Sequence, residues 1–361
     1  MNMTEKSKQH VDSCRFCWMC HHICPVGNAT GQERNTARAR ALGISLVNRG
    51  AMELEEIMDN IYECATCGGC VEDCITGWDP VMFTKEVRLQ AAMEGKLPGY
   101  ISEMLDKCLE TGNVYGKTEL SAELSAAIDA HKEKTDILLY LGADARYVVP
   151  TLAVKAIWVL EKAGVKFTVL EDEPASGGQL DFLVSATSET KAAMEAAAKA
   201  LDAYKTVIVY DPADAKAIRS LWHEYGVECK ANAVTFTAFV AALLRDGKLT
   251  GKQSGKHVVF QDPYQLSRDL EETEEPREIV RAYAILDEML LNRRATVWAG
   301  NPLMAEYLPG VVDAVAARRI FNATSVGADT IVTACPGEYA ALTGAAKDGF
   351  CILSLEDLIL A

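Results

Sequence analysis

Cys14-Arg15-Phe16-Cys17-Trp18-Met19-Cys20-His21-His22-Ile23-Cys24-Pro25 and Cys64-Ala65-Thr66-Cys67-Gly68-Gly69-Cys70-Val71-Glu72-Asp73-Cys74 decide how this chain is read. Both follow C-x-x-C-x-x-C-x-x-x-C. Each supplies four thiolates, the ligand number of one [4Fe–4S] cubane. A tight C-x-x-C-x-x-C turn holds three corners of such a body, and the fourth thiolate has to come from elsewhere. Structural zinc and disulfides are the alternatives. Zinc sites pair one C-x-x-C with a second Cys or His pair and have no need of four cysteines at this spacing, twice over. Disulfides require an oxidising compartment, and MNMTEKSKQH lacks the apolar segment of an export signal.

The spacing resembles that of bacterial two-cluster ferredoxins, in which the fourth ligand of each cluster comes from the other motif. That resemblance implies Cys14, Cys17, Cys20 and Cys74 on one cluster, and Cys64, Cys67, Cys70 and Cys24 on the other. Gly68 and Gly69 allow backbone N–H groups to approach sulfur, which raises a cluster's potential. Phe16, Trp18 and Met19 are expected to form an apolar shell or simply to pack the region. His21 and His22 either tune a cluster through hydrogen bonds or are solvated loop histidines.

Composition narrows the class. The chain has 361 residues, 49% hydrophobic, with a formal net charge of −15. That length suggests two or three domains and the hydrophobic fraction a sizeable core. The acidity argues against a nucleic-acid surface, which needs clustered Lys and Arg. No stretch has the apolar length of a membrane span, and a cytoplasmic location is expected.

Helical periodicity covers residues 36–48 and 53–62, and Asp79-Pro80 looks like a capped helix start running to Met93. Residues 100–131 read as a helical connector broken at Gly112 and Gly116. Beyond Thr135 buried strands alternate with helices, implying parallel α/β sheets: ILLYL from Ile137, Val165–Leu170, TVIVY from Thr206 and VVFQ from Val258. A helix from Arg277 to Leu291 is expected, then a strand ATVWA over 295–299, a helix Val312–Asn322 and a strand TIVT from Thr330. The halves match at a displacement of about 120 residues, a tandem duplication. In that match Asp211 takes the place of Cys335.

The whole chain resembles a family that joins a two-cluster ferredoxin to two cysteine-rich CCG domains. It includes the D subunit of heterodisulfide reductase, the glycolate oxidase iron–sulfur subunit and lactate-utilisation proteins. Besides the eight cysteines, the resemblance rests on Glu110-Thr111-Gly112-Asn113-Val114-Tyr115-Gly116, on Gln261-Asp262-Pro263-Tyr264-Gln265-Leu266-Ser267-Arg268, on Glu275-Pro276-Arg277-Glu278-Ile279 and on Thr333-Ala334-Cys335-Pro336. The CCG cysteines are largely lost. Ala175-Ser176-Gly177-Gly178 and Trp298-Ala299-Gly300-Asn301 stand in their places, Tyr264 replaces the cysteine of a DPC element, Ala143 falls where a cysteine often follows Gly142, and Glu338 replaces the last cysteine of CP-x-C. Cys335 alone survives, and one thiolate cannot hold a cluster.

The resemblance implies an α+β multidomain fold. A helical ferredoxin-like domain (1–98) and a helical connector (99–134) would precede two degenerate CCG-like α/β domains with parallel sheets (135–253 and 254–361). It implies an electron-transfer subunit carrying two [4Fe–4S] clusters. The expected partners are a flavoprotein, of FAD-linked oxidase or electron-transfer flavoprotein type, and a further redox subunit. The alternatives are a thiol/disulfide reductase acting through Cys335 and a structural subunit whose clusters do not turn over. Cys108, Cys229 and Cys351 read as buried packing residues.

Overall fold

The structure, a computed structural model, describes residues 3–14, 17–347 and 349–361. Phe16, expected in an apolar shell, lies outside the described residues. The N-terminal part is helical: α1 (Glu5–Asp12), α2 (Met19–Ile23), α3 (Pro25–Thr30), α4 (Ala37–Asn48), α5 (Met58–Tyr62), α6 (Gly69–Glu72) and α7 (Pro80–Met93). Local chemistry sets the ends. Thr36 caps α4 by accepting from the Ala39 N–H, and Asp79 caps α7 by accepting from the Met82 N–H, with Pro80 in the first turn. The inward stripes, Ala37, Ala41 and Ile44 of α4 and Phe83, Val87 and Ala91 of α7, are buried and share one cluster with Ile61 and Tyr62.

Two helices lead out. α8 (Gly99–Thr111) buries Ile101, Met104 and Cys108 in that same cluster. α9 (Ala122–Ala130) instead puts Leu124 and Ile128 into the core of the α/β body.

That body holds two four-stranded parallel sheets. β1 (Ile137–Tyr140), β2 (Thr168–Val169), β3 (Thr206–Val209) and β4 (Asn232–Thr235) lie in the order β2-β1-β3-β4. β5 (His257–Gln261), β6 (Ile285–Asp287), β7 (Thr330–Thr333) and β8 (Cys351–Ser354) repeat it as β6-β5-β7-β8. The central pairs run Leu138 beside Val207 and Val259 beside Ile331. These strands read as unbroken apolar runs because helices cover both faces. One core spans both halves, with Leu139, Ile208 and Val240 packed in the same cluster as Phe260, Val280 and Val332.

Four readings need correction. The helix begun near Arg277 spans Glu275–Tyr283 and stops before Leu291, and the strand after it is Ile285–Asp287 rather than residues 295–299. Val297, Trp298 and Ala299 are buried without belonging to a sheet. Side chains replace the ladder: Thr296 O accepts from Arg268, Val297 O accepts from Gln261 at 3.0 Å, and Ala299 N–H donates to Glu338 at 3.2 Å. The outer strands β4 and β8 were not expected. Asn232-Ala233-Val234-Thr235 and Cys351-Ile352-Leu353-Ser354 lie at sheet edges, where mixed polarity hides the buried-strand signal. Cys229 and Cys351 are half-buried, and of the three packing cysteines Cys108 alone is fully buried.

Candidate metal centre

The two cysteine motifs fold alike. After the second cysteine of each, the chain turns through the left-handed region, at Trp18 (φ 67°) and at Gly68 (φ 73°), and a short helix comes next. A side chain bears that conformation at a cost of about 1–2 kcal/mol. Gly68 avoids it, and Gly69 has little room for a Cβ, which would lie 3.1 Å from Ile23 Cγ1.

Cys24, from the first motif, lines one cavity with Cys64, Cys67 and Cys70 of the second. Val26, Ala65 and Val81 give it apolar walls. Gly27 N–H donates to Cys24 Sγ and Thr66 N–H to Cys64 Sγ, each at 3.4 Å. Burial pushes the thiols up, Cys67 to about 11, with Cys24 and Cys70 also raised. Thiols held protonated by their surroundings become thiolates when a metal takes the proton's place. Among the described residues no three His, Cys, Asp or Glu side chains close on a single-ion position. These four instead line one cavity, and four thiolates are the number a cubane takes.

The first motif lies nearer the surface. Cys17 is exposed, Cys14 and Cys20 are half-buried, and Cys20, pushed by burial to about 11, feels Cys14 and Cys17. Trp18 and Met19 are each 45% exposed, so they do not form the enclosed shell expected of them. His21 bonds Glu33 at 3.2 Å on the outside. Cys74 is half-buried. Burial raises its thiol, but hydrogen bonds from Thr76, Trp78 and Gly77 bring it below its ordinary value. Asp79 N–H donates to His10 Nδ1 at 3.2 Å, fastening the segment after Cys74 to the helix that leads into Cys14.

Three buried arginines surround the second motif. Arg40 donates to the carbonyls of Asn35 (2.7 Å) and Asn60 (3.1 Å). Arg88 donates to Cys64 O (2.7 Å), Ile61 O (3.1 Å) and Phe182 O (2.6 Å). Arg268 reaches in from the other half to Cys67 O (2.8 Å), Arg294 O (2.7 Å) and Thr296 O. Arg40 and Arg88 went unread in the sequence, and Arg268 was noted there without a role. The available signal was an arginine on an apolar stripe, Arg40 beside Ala37, Ala41 and Ile44, and Arg88 beside Thr84, Val87 and Ala91.

The strand ends of the two sheets meet elsewhere, in a polar centre without a thiolate set. Cys335 is 6% exposed, and burial followed by the nearby Asp211 and Glu338 drives its thiol well up, unlike an activated nucleophile. Burial also lifts the surrounding carboxyls, Asp144 to about 6, Asp214 to about 7 and Glu338 to about 8. Ser176, in the place of a CCG cysteine, donates to Asp214. Asp262 and Arg277 form a bidentate pair at 2.6 and 2.9 Å, so the two motif segments that carry them meet.

Residues 10–78 match the family described as a 4Fe-4S dicluster domain. Over longer stretches the chain is similar to the D subunit of the dihydromethanophenazine:CoB–CoM heterodisulfide reductase of Methanosarcina acetivorans, 26% identical over 93% of this chain and 89% of that protein. It is also similar to the B subunit of the fumarate reductase (CoM/CoB) of Methanothermobacter marburgensis, 21% identical over 90% of this chain and 65% of the relative. A probable membrane-anchored ferredoxin of Chromohalobacter salexigens is 25% identical over 89% of this chain and 48% of its own length. Among solved structures, a hypothetical protein from Helicobacter pylori has the same fold, with a TM-score of 0.61 at 13% identity over 99% of this chain and 72% of that one. No helix among the described residues is long and apolar enough to cross a membrane.

Proposed function

We infer that this chain, a relative of the heterodisulfide reductase D subunit bearing a 4Fe-4S dicluster domain, is an iron–sulfur electron-transfer subunit of an oxidoreductase complex. In this reading it holds two [4Fe–4S] clusters, which supply one-electron carriage between a flavoprotein and a second redox partner. Cys14, Cys17, Cys20 and Cys74 hold the first, and Cys24, Cys64, Cys67 and Cys70 the second. Residues 1–98 are the cluster-bearing unit, 99–134 tie it to the body, and 135–253 and 254–361 are the body's two repeats. The observation that carries the reading is the single cavity lined by Cys24 and three cysteines of the second motif.

The protein's own work is placement and exclusion. Apolar walls line the inner set, of which Cys24 is buried and Cys64, Cys67 and Cys70 are half-buried. The outer set opens at Cys17, flanked by exposed Trp18, Met19 and Ile75, and this is the side a partner approaches. A flavin releases two electrons, and two one-electron sites take them in turn. The body, with one buried thiol at its strand ends, serves as scaffold and docking surface.

Anaerobically purified protein carries about eight iron atoms per chain. A flavoprotein recovered with it reduces both clusters in stopped flow. About four iron atoms per chain, or a clear excess over eight, would refute the ligand assignment. Clusters left oxidised by the reduced flavoprotein would refute the partner.

A further inference from the structure

We propose that the buried guanidinium groups of Arg40, Arg88 and Arg268 make the inner cluster the higher-potential one of the pair, with Arg268 supplying the part of that bias that depends on the body. The proposal rests on the reading that Cys24, Cys64, Cys67 and Cys70 hold a cluster.

Arg40 is 3% exposed, Arg88 fully buried and Arg268 9% exposed. Each donates only to neutral carbonyl oxygens, and among the described residues none has a carboxylate in hydrogen-bond contact. Glu63 acts on Arg40, and Glu72 and Asp73 feel Arg268, only through space, and buried cations without a directly bonded carboxylate are costly unless an anion occupies the cavity beside them. A cubane on four thiolates is such an anion, and each electron it accepts adds negative charge. Fixed cations nearby therefore favour its reduced form, and because the three guanidinium groups are themselves buried their field is less screened than that of a surface charge.

Position supports the assignment. Arg40 lines the cavity itself. Arg88 and Arg268 grip the carbonyls of Cys64 and Cys67, two of the ligands, at 2.7 and 2.8 Å. A Cβ on Gly69 would lie 3.5 Å from Arg268 Nη2, so that guanidinium rests against the ligand turn. Among the described residues the corresponding cation at the outer set is Arg38, half-buried over the Trp18 ring at 4.2 Å, with Cys17 open to water that screens it. The three inner arginines are positioning residues that act through their field and through the ligand carbonyls they hold. An electron entering at the surface then comes to rest inside, next to the body.

The test is a redox titration of the full chain followed by EPR, with the inner signal assigned as the one altered in Cys67→Ser. The wild-type inner signal should have the higher midpoint. Arg268→Gln should shift that midpoint down and leave the outer one in place, while Arg268→Lys, which keeps the charge, should retain most of it. A higher midpoint on the outer cluster, an unmoved inner midpoint in Arg268→Gln, or equal shifts in the Gln and Lys variants would overturn the proposal. If Cys67→Ser leaves iron content and both signals unchanged, the ligand reading itself fails, a result distinct from any of these.

Discussion

Cys24 shows what one side chain decides. It sits in the first motif by sequence and in the second motif's cavity by geometry. Pairing substitutions tests this directly. Cys24→Ser combined with Cys67→Ser should lower iron from about eight to about four atoms per chain, since both remove one cluster. If each motif kept its own four cysteines, the same double variant would lose nearly all its iron. The cysteines stand out as candidates because ligand chemistry forces a rigid spacing on a chain. Arg40, Arg88 and Arg268 do not, because a charged residue on an apolar stripe resembles an ordinary surface residue until its carbonyl partners are known.

Among the elements, the ends of β5 and β7 depend most on buried polar contacts. Gln261 donates to both oxygens of Glu338 at 3.2 Å and accepts from Arg319, while Ala299 N–H donates to the same carboxyl. Burial dominates these contacts and lifts Glu338 to about 8. The folded chain therefore keeps this proton to a higher pH than the unfolded chain. Its contribution to stability is complete below the ordinary carboxylate range and is lost as pH rises through about 8. Thermal melts between about pH 5 and 8 should show a falling midpoint, and the fall should be shallower in Glu338→Gln. Equal slopes would show that the carboxyl is already ionised. The Asp262–Arg277 pair, at 1% and 0% side-chain exposure, ties the end of β5 to the helix Glu275–Tyr283. Asp262→Ala should destabilise by about 1–3 kcal/mol, because Arg277 loses one of its two buried carboxylate partners and keeps Glu288 at 2.8 and 3.0 Å, and denaturant titration measures the loss. Turn and capping residues made most helices readable here. The buried run 296–299 was misread because its β-like composition is served by side chains, a substitution that periodicity does not record.

Across the molecule, the cluster-bearing part does not stand alone. Its core takes in Leu180, Leu183, Leu303, Met304 and Val315 from the body. Tyr62 donates to Leu183 O at 2.6 Å, and Tyr307 donates to Tyr62 O at 2.9 Å. The exposed Arg294–Glu72 pair at 2.8 Å adds little by comparison. Binding that favours the folded state stabilises whatever is cooperative with the site. Stripping iron with a chelator should therefore lower the melting temperature of the whole chain in one transition. A separate early transition, with the body melting unchanged, would show that the shared core does not couple them.

The amino-acid string was enough for the helical start, the parallel α/β body and its duplication, and it offers the eight thiols as a candidate ligand set. Each of these comes from local periodicity or from ligand spacing, which neighbouring residues enforce. It was not enough for the company those groups keep. Which half supplies Arg268 to the Cys67 turn, where the carbonyls of 296–299 find donors, and how deep each cysteine set lies all depend on contacts between residues far apart in the chain. Such contacts arise from how buried surfaces fit together, and the fit exists only once the chain has folded.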